Sequence, residues 1–120
     1  MVPDATVELE ADVLAAAVDR AARYADGYGR VSLQSTDGAV LVRAGGSHGE
    51  SEEAVKATVR GAPVVRHYQA RLLTDALRAL AGHAVELRVQ SGLRATEVTA
   101  AGTQAQLRYL VVPMRQETEV

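Results

Sequence analysis

Hydrophobic residues in two segments, 11–24 and 71–80, recur every three or four positions, which is the spacing of an amphipathic helix. The apolar face of the first segment would consist of Val13, Leu14, Ala17, Val18 and Ala21. That of the second would consist of Leu72, Leu73, Ala76, Leu77 and Leu80. Gly82 follows the second segment, and glycine readily takes the left-handed conformation that ends a helix. The pattern therefore predicts two helices, each with one buried face.

The rest of the chain has the apolar and turn pattern of short strands. The predicted strands are residues 6–10, 30–35, 39–43, 52–59, 64–68, 84–89, 93–99 and 104–112. Asp37-Gly38 would form a tight turn between the second and third, because Gly tolerates positive φ. Residues 44–51 are rich in Gly and Ser and predict a longer connection. The element order is therefore β-α-β-β-β, repeated once.

The two repeats also share a faint sequence similarity. Three positions recur at a constant offset: Val7, Leu14 and Arg20 correspond to Val65, Leu72 and Arg78. Strands in two sets favour an α+β domain, with both helices on one face of antiparallel sheets. We expect one such domain over residues 1–120, with a linker at 1–5 and a tail at 116–120.

The composition excludes several classes of protein and of binding site. The chain has no Cys, so it can form neither a disulfide nor a thiolate metal site. Its apolar runs are far shorter than the roughly 20 residues that cross a bilayer, and no signal peptide is visible. We therefore expect a soluble, cytoplasmic domain without a membrane partner. The formal net charge is −2, whereas domains that grip nucleic acid by themselves usually carry a surplus of Lys and Arg. Any contact with DNA should be local, weak or shared with other domains.

The motifs that could indicate a phosphate-binding, metal-binding or catalytic site are only weak signals. Residues 45–49, Gly-Gly-Ser-His-Gly, lack the Lys-Ser or Lys-Thr of a phosphate loop and lie between two strands, which favours a hairpin. One group resembles a metal site but is better explained as surface charge: His48, Glu50, Glu52 and Glu53. His67 and His83 have no candidate nucleophile nearby in sequence. We expect no catalytic residue, no metal and no cofactor.

Two features could contact a partner. Four arginines would lie on the outward faces of the helices, either as solvated charge or as a surface facing phosphates: Arg20, Arg23, Arg71 and Arg78. Residues 109–115 form an apolar strand that runs into Pro113-Met114-Arg115. They would be either a buried final strand or an adaptable contact surface, because a flexible Met stands beside a rigid Pro. The spacing leaves both pairs of alternatives open.

The last segment, Leu110-Val111-Val112-Pro113-Met114-Arg115, is similar to the ending of bacterial sliding clamps, the beta subunit of DNA polymerase III. Residues 18–26 resemble the first helix of the C-terminal domain in that family. Residues 68–77 resemble its Phe-Asn-x-x-Tyr-Leu-x-x-Ala-Leu segment, and residues 84–93 resemble the strand and turn that follow. The likeness runs in order from about Thr6 to Arg115 and identifies a clamp C-terminal domain, or a clamp-like domain derived from one.

The resemblance implies two βαβββ repeats in a non-catalytic processivity factor, whose domains form a ring around duplex DNA. It also implies a hydrophobic groove that receives short peptides of DNA polymerase, the clamp loader or repair proteins. The groove residues would be Leu110, Val112, Pro113, Met114 and Arg115. Arg20 and Arg78 would face DNA. Arg23 and Tyr24 would lie at the subunit interface, where typical clamps have apolar residues.

The leading hypothesis is a clamp domain that docks partner peptides and contributes to a DNA-encircling ring, in the cytoplasm at the nucleoid. The alternative is a clamp-like effector domain of a bacterial transcriptional regulator. A small hydrolase or metalloenzyme is a third hypothesis, which the lack of a convergent reactive set disfavours. For this chain alone we expect a monomer with weak peptide binding and weak, non-specific DNA binding.

Overall fold

The structure, a computed structural model, describes residues 3–27, 29–47, 49–102 and 108–115. Within these ranges the chain forms nine strands and two helices. In chain order they are β1 (Ala5–Glu10), α1 (Ala11–Ala22), β2 (Arg30–Thr36), β3 (Ala39–Gly46), β4 (Gly49–Lys56), β5 (Thr58–Gly61), β6 (Val65–Gln69), α2 (Ala70–Ala79), β7 (Ala84–Val89), β8 (Thr96–Ala100) and β9 (Tyr109–Val111).

The strands form two antiparallel sheets. One has the order β5-β1-β7-β8-β9, and the other has the order β4-β3-β2-β6. Each repeat gives its first strand to the sheet of the other repeat, because β1 pairs with β7 and β6 pairs with β2. The two halves are therefore interlocked. The predicted α+β class and the repeated β-α-β-β-β order are confirmed, with β5 as a short additional strand.

The two helices pack side by side. Arg78 in the last turn of α2 forms an ion pair with Asp19 of α1. The carboxylate of Asp12, in the first turn of α1, accepts a hydrogen bond from the backbone N–H of Gly82 at 3.2 Å. Both helices thus belong to one layer, as predicted. None of the helices in the described residues is long and apolar enough to cross a membrane.

The core lies between the helices and the inner faces of the sheets. Its largest fully buried side chain is Tyr68 of β6. The Tyr68 hydroxyl shares a 2.5 Å hydrogen bond with the hydroxyl of Thr96 in β8, so two buried polar groups satisfy each other across the two sheets. Burial raises the pKa of Tyr68 above its usual value. Apart from this pair, the buried cluster is built mainly from Val, Leu and Ala.

The predicted apolar faces of the helices are partly wrong. Val13 and Leu72 are exposed, and Leu80 is only partly buried. Their places are taken by smaller residues at the same three- and four-residue spacing: Ala11 and Ala15 in α1, and Ala70 and Thr74 in α2. Val13 and Leu72 each precede a buried Leu. Neighbouring positions on a helix point about 100° apart, and the buried stripe extends to the residue after that Leu, Ala15 or Thr74, so the residue before it lies outside the stripe. Helix α1 also ends at Ala22 rather than at residue 24.

Several predicted strand limits also need correction. The single strand predicted over 52–59 is two strands, because the chain leaves one sheet at Ala57 and joins the other. The long connection predicted over 44–51 is short, because β3 and β4 remain paired as far as Gly46 and Gly49.

Strand β8 starts at Thr96 rather than at 93. Of the strand predicted over 104–112, residues 104–107 lie outside the described ranges. Ala5, expected in a linker, is a buried residue of β1.

Candidate functional site

The candidate site is the segment of residues 109–115, which begins with β9, the last strand of the five-stranded sheet. Strand β9 is the edge strand, paired with β8 alone. Its side chains alternate, so Val111 is buried while Leu110 and Val112 are 64% and 59% exposed. Pro113 is buried again, and Met114 is partly buried. Two large apolar side chains therefore point to solvent next to a rigid Pro and an adaptable Met.

The other sheet fixes the end of this segment. The backbone N–H of Met114 donates a 2.6 Å hydrogen bond to the carbonyl of His67 in β6, forming an isolated bridge. Nη1 of Arg30 in β2 donates to the carbonyl of Arg115 at 2.5 Å. Burial and the nearby Arg30 charge lower the pKa of His67. The five predicted groove residues thus lie in one segment whose end is bonded to the other sheet, with Arg115 exposed.

A shallow depression lies beside Leu110. It has a volume of about 380 Å³ and is lined by Arg88, Gln90, Arg94, Ala95, Glu97, Arg108 and Leu110. Leu93, at the turn between β7 and β8, is a further exposed apolar side chain. Only Leu110 of this lining was a predicted site residue. Leu93 and the other lining residues were missed because residues 93–99 were assigned to a strand, and because cross-strand neighbours are not evident in one sequence.

The two arginines predicted to face DNA are both ion-paired. The guanidinium of Arg20 binds Glu53 of β4 through two hydrogen bonds, Nε–Oε1 at 2.9 Å and Nη2–Oε2 at 2.5 Å. This contact lowers the pKa of Glu53 and raises that of Arg20. Arg78 is paired with Asp19. Both arginines lie on the exposed surface as expected, but each already has a carboxylate partner.

The predicted interface residues lie at the end of α1, where Arg23 and Tyr24 are exposed. The tip of the β3–β4 hairpin packs beside them. A Cβ added at Gly46 would come within 2.6 Å of both the Tyr24 carbonyl oxygen and the Asp26 carboxyl carbon. Ser47 donates its backbone N–H and its hydroxyl to the Asp26 carboxylate, at 2.8 and 3.1 Å. Because Gly46 has no side chain, the backbone of the glycine-rich hairpin can pack closely against Tyr24 and Asp26.

In the described part of the chain, His, Cys, Asp and Glu do not form any group of three or more that could hold a metal ion. Within the suspected acidic cluster, Glu52 is paired with Arg43 at 2.6 Å and Glu53 with Arg20. His48 lies outside the described residues. A second depression, of about 780 Å³, lies against the four-stranded sheet and is lined by charges of both signs, including the Arg43–Glu52 pair.

Comparison with known proteins identifies similar domains. The family described as "DNA polymerase III beta subunit, C-terminal domain" matches residues 3–115. The solved DNA polymerase III subunit beta of Pseudomonas aeruginosa is 24% identical, with a TM-score of 0.86, over 97% of this chain and 32% of that one. The beta subunit of Thermotoga maritima is 15% identical, with a TM-score of 0.89 over the same shares.

The beta sliding clamp of C. crescentus is 25% identical, with a TM-score of 0.84, over 92% of this chain and 30% of that one. The chain therefore spans about a third of the length of these proteins. A comparison with curated proteins finds no match.

Proposed function

Because the chain belongs to the DNA polymerase III beta subunit family, as its C-terminal domain, we propose that it is the peptide-docking domain of a sliding clamp. In this role it raises the processivity of a polymerase by tethering it to DNA, without a catalytic step of its own, in the cytoplasm at the nucleoid. One observation carries the proposal. Leu110 and Val112 are both more than half exposed on an edge strand, directly before Pro113 and Met114.

The exposed pair supports peptide capture on physical grounds. Completely burying a Leu or Val side chain contributes about 1.5–3 kcal/mol, and a few such anchors supply most of the affinity of an interface. The hydrogen bonds from Met114 and to Arg115 fix the backbone of the segment before any peptide arrives. A preformed apolar strip of this size suits a short peptide with apolar anchors, of the kind we propose for DNA polymerase, the clamp loader and repair proteins.

Peptide titration tests this proposal. Leu110→Ala and Met114→Ala are each expected to weaken binding of a clamp-binding peptide by about three- to tenfold, because each removes apolar contact area from the strip. Val13→Ala, which shortens an exposed apolar side chain on α1, should leave the affinity unchanged. For the 120-residue chain alone we expect weak binding throughout. Fluorescence anisotropy of a labelled peptide measures the affinity of the wild-type chain and of the three variants. Equal affinities for all four proteins would contradict the assignment of residues 110–115 as the peptide groove.

We also propose that the helix layer faces duplex DNA in the ring, and that this chain alone binds DNA weakly. Its net charge is −2, and Arg20 and Arg78 are both paired with carboxylates. Asp19→Asn should release Arg78 and tighten binding to linear duplex at low salt by about two- to threefold, since one more cation can then reach a phosphate. Asp37→Asn makes the same charge change in the turn between β2 and β3, outside the helices, and should have a smaller effect.

The DNA titration is run at two salt concentrations. Binding by every variant should fall steeply as salt rises, because phosphate contacts release counterions. Tight binding by the wild-type chain that survives salt would contradict the proposal, as would equal effects of the two substitutions.

A further inference from the structure

Two hydrogen bonds fasten residues 113–115, the end segment, to the four-stranded sheet. The Met114 N–H donates to the carbonyl of His67 in β6 at 2.6 Å, and Nη1 of Arg30 in β2 donates to the carbonyl of Arg115 at 2.5 Å. The preceding strand, β9, belongs to the five-stranded sheet, so these two contacts join the two sheets at this edge. A change at either bond therefore changes how the end segment is held.

The two residues that hold the end segment are also neighbours on one face of the sheet. Ser32 is directly opposite His67, and Arg30 is two positions before Ser32, so Arg30 and His67 are diagonal neighbours, close enough for long side chains to interact. Both line the depression of about 780 Å³. Burial and the positive charge of Arg30 lower the pKa of the partly buried His67. Protonation of His67 thus places two like charges side by side.

Other charged side chains belong to the elements around His67. They are Asp26 in the loop before β2, Arg43 of β3, Glu50 and Glu52 of β4, and Arg115 in the end segment. Glu52 is paired with Arg43, and the Asp26 carboxylate is hydrogen-bonded to Ser47 at the hairpin tip. Strands β3 and β2 separate β4 from β6, so the backbone of Glu50 is about 14 Å from that of His67 at the usual strand spacing. Arg30 is therefore the charge that acts most strongly on His67.

We propose that protonation of His67 loosens the end segment from the four-stranded sheet, so that acidity controls how firmly residues 113–115 are held. A positive imidazole repels the Arg30 guanidinium, which has to stay in place to bind the Arg115 carbonyl. Release of the segment relieves this repulsion and lets water reach the imidazole. The device acts on the attachment of the segment and does not depend on what the segment binds.

The direction of the pH effect follows from the lowered pKa of His67. The attached arrangement favours the neutral imidazole, whereas a released and solvated imidazole has its usual pKa of about 6.5. Attachment is therefore strongest above this pH, and it weakens as the pH falls through 6.5 toward the lowered value. Below the lowered value both arrangements are protonated, and His67 causes no further weakening.

Amide hydrogen exchange of the 120-residue chain, measured by NMR, tests the proposal. The protection factor of the Met114 amide, which corrects for the intrinsic pH dependence of exchange, should fall about two- to fivefold between about pH 7.5 and about pH 5.5. That of the Leu87 amide, in the central strand of the five-stranded sheet, should fall less. His67→Gln should remove the pH dependence at Met114, because Gln cannot be protonated. His83→Gln, in the exposed turn after α2, should retain it.

A second measurement isolates the contact with Arg30. Arg30→Gln should raise the pKa of His67 in an NMR titration of the imidazole, because the neighbouring positive charge is removed. An unchanged pKa in this variant overturns the proposed repulsion. Constant protection of Met114 in the wild-type chain, or the same fall in His67→Gln, overturns the proposal as well. So do equal losses at Met114 and Leu87, because the whole domain then opens together.

Discussion

Leu77→Ala is expected to lower the free energy of unfolding by about 2–5 kcal/mol, the usual cost of truncating a buried Leu and leaving a cavity. Leu77 is completely buried in α2, within the single core cluster that both sheets share. A domain of this size is stable by only about 5–15 kcal/mol, so the variant should unfold at a much lower urea concentration. Denaturant unfolding followed by circular dichroism measures the change.

The matched control is Leu72→Ala in the same helix. Leu72 is 48% exposed, although the sequence pattern assigned it to the buried face. Its truncation should change the stability by less than about 1 kcal/mol, because little buried area is lost and Ala is the best helix former. Similar losses for the two variants would show that the buried face of α2 has been placed wrongly.

Gly61→Ala is expected to destabilise the fold by about 3 kcal/mol or more, through two independent effects. Gly61 ends β5 with a φ of +96°, a backbone conformation that residues with a Cβ rarely adopt. The added Cβ would also collide with the carbonyl oxygen of Asp4 and lie 3.0 Å from the Cα of Ala5. Both atoms belong to the backbone at the start of β1, so neither can rotate away.

Gly82→Ala separates the cost of a positive φ from the cost of a steric collision. Gly82 has a φ of +83°, and an added Cβ there would meet no described atom within 4 Å. Only the left-handed conformation then opposes the substitution, at a cost of about 1–2 kcal/mol. Thermal and denaturant unfolding of the two variants should therefore differ clearly. If Gly61→Ala is no worse than Gly82→Ala, the packing of β5 against residues 4–5 is not as described.

Much of the fold could be predicted from the sequence because its signals are local. Helical periodicity located α1 and α2 to within two residues, and the Asp37-Gly38 turn fixed the first hairpin. The split at Ala57 could not be predicted, because the chain changes sheets there with no Gly or Pro to mark the bend. The extent of β3 and β4 was missed for the opposite reason. Gly46, taken as a loop signal, is a strand residue that lets the hairpin tip approach Tyr24 and Asp26.

The candidate site was predictable in part. The Leu110–Arg115 segment was recognised by its resemblance to clamp endings, and alternation along β9 accounts for the exposure of Leu110 and Val112. The ion pairs of Arg20 and Arg78 were not foreseen. Their partners, Glu53 and Asp19, are 33 and 59 positions away in sequence, and only the packed fold brings them together. The depression beside Leu110 was missed for the same reason, since its lining residues come from three neighbouring strands and the loops next to them.

The most direct measurement maps the bound peptide onto the backbone. Two-dimensional amide NMR spectra of the labelled 120-residue chain are recorded while an apolar-anchored, clamp-binding peptide is added. We expect the largest shifts on residues 93–97 and 108–115, around Leu110 and Met114. Shifts concentrated on α1 and α2, or spectra that remain unchanged at millimolar peptide, would contradict the assignment of this segment as the docking groove.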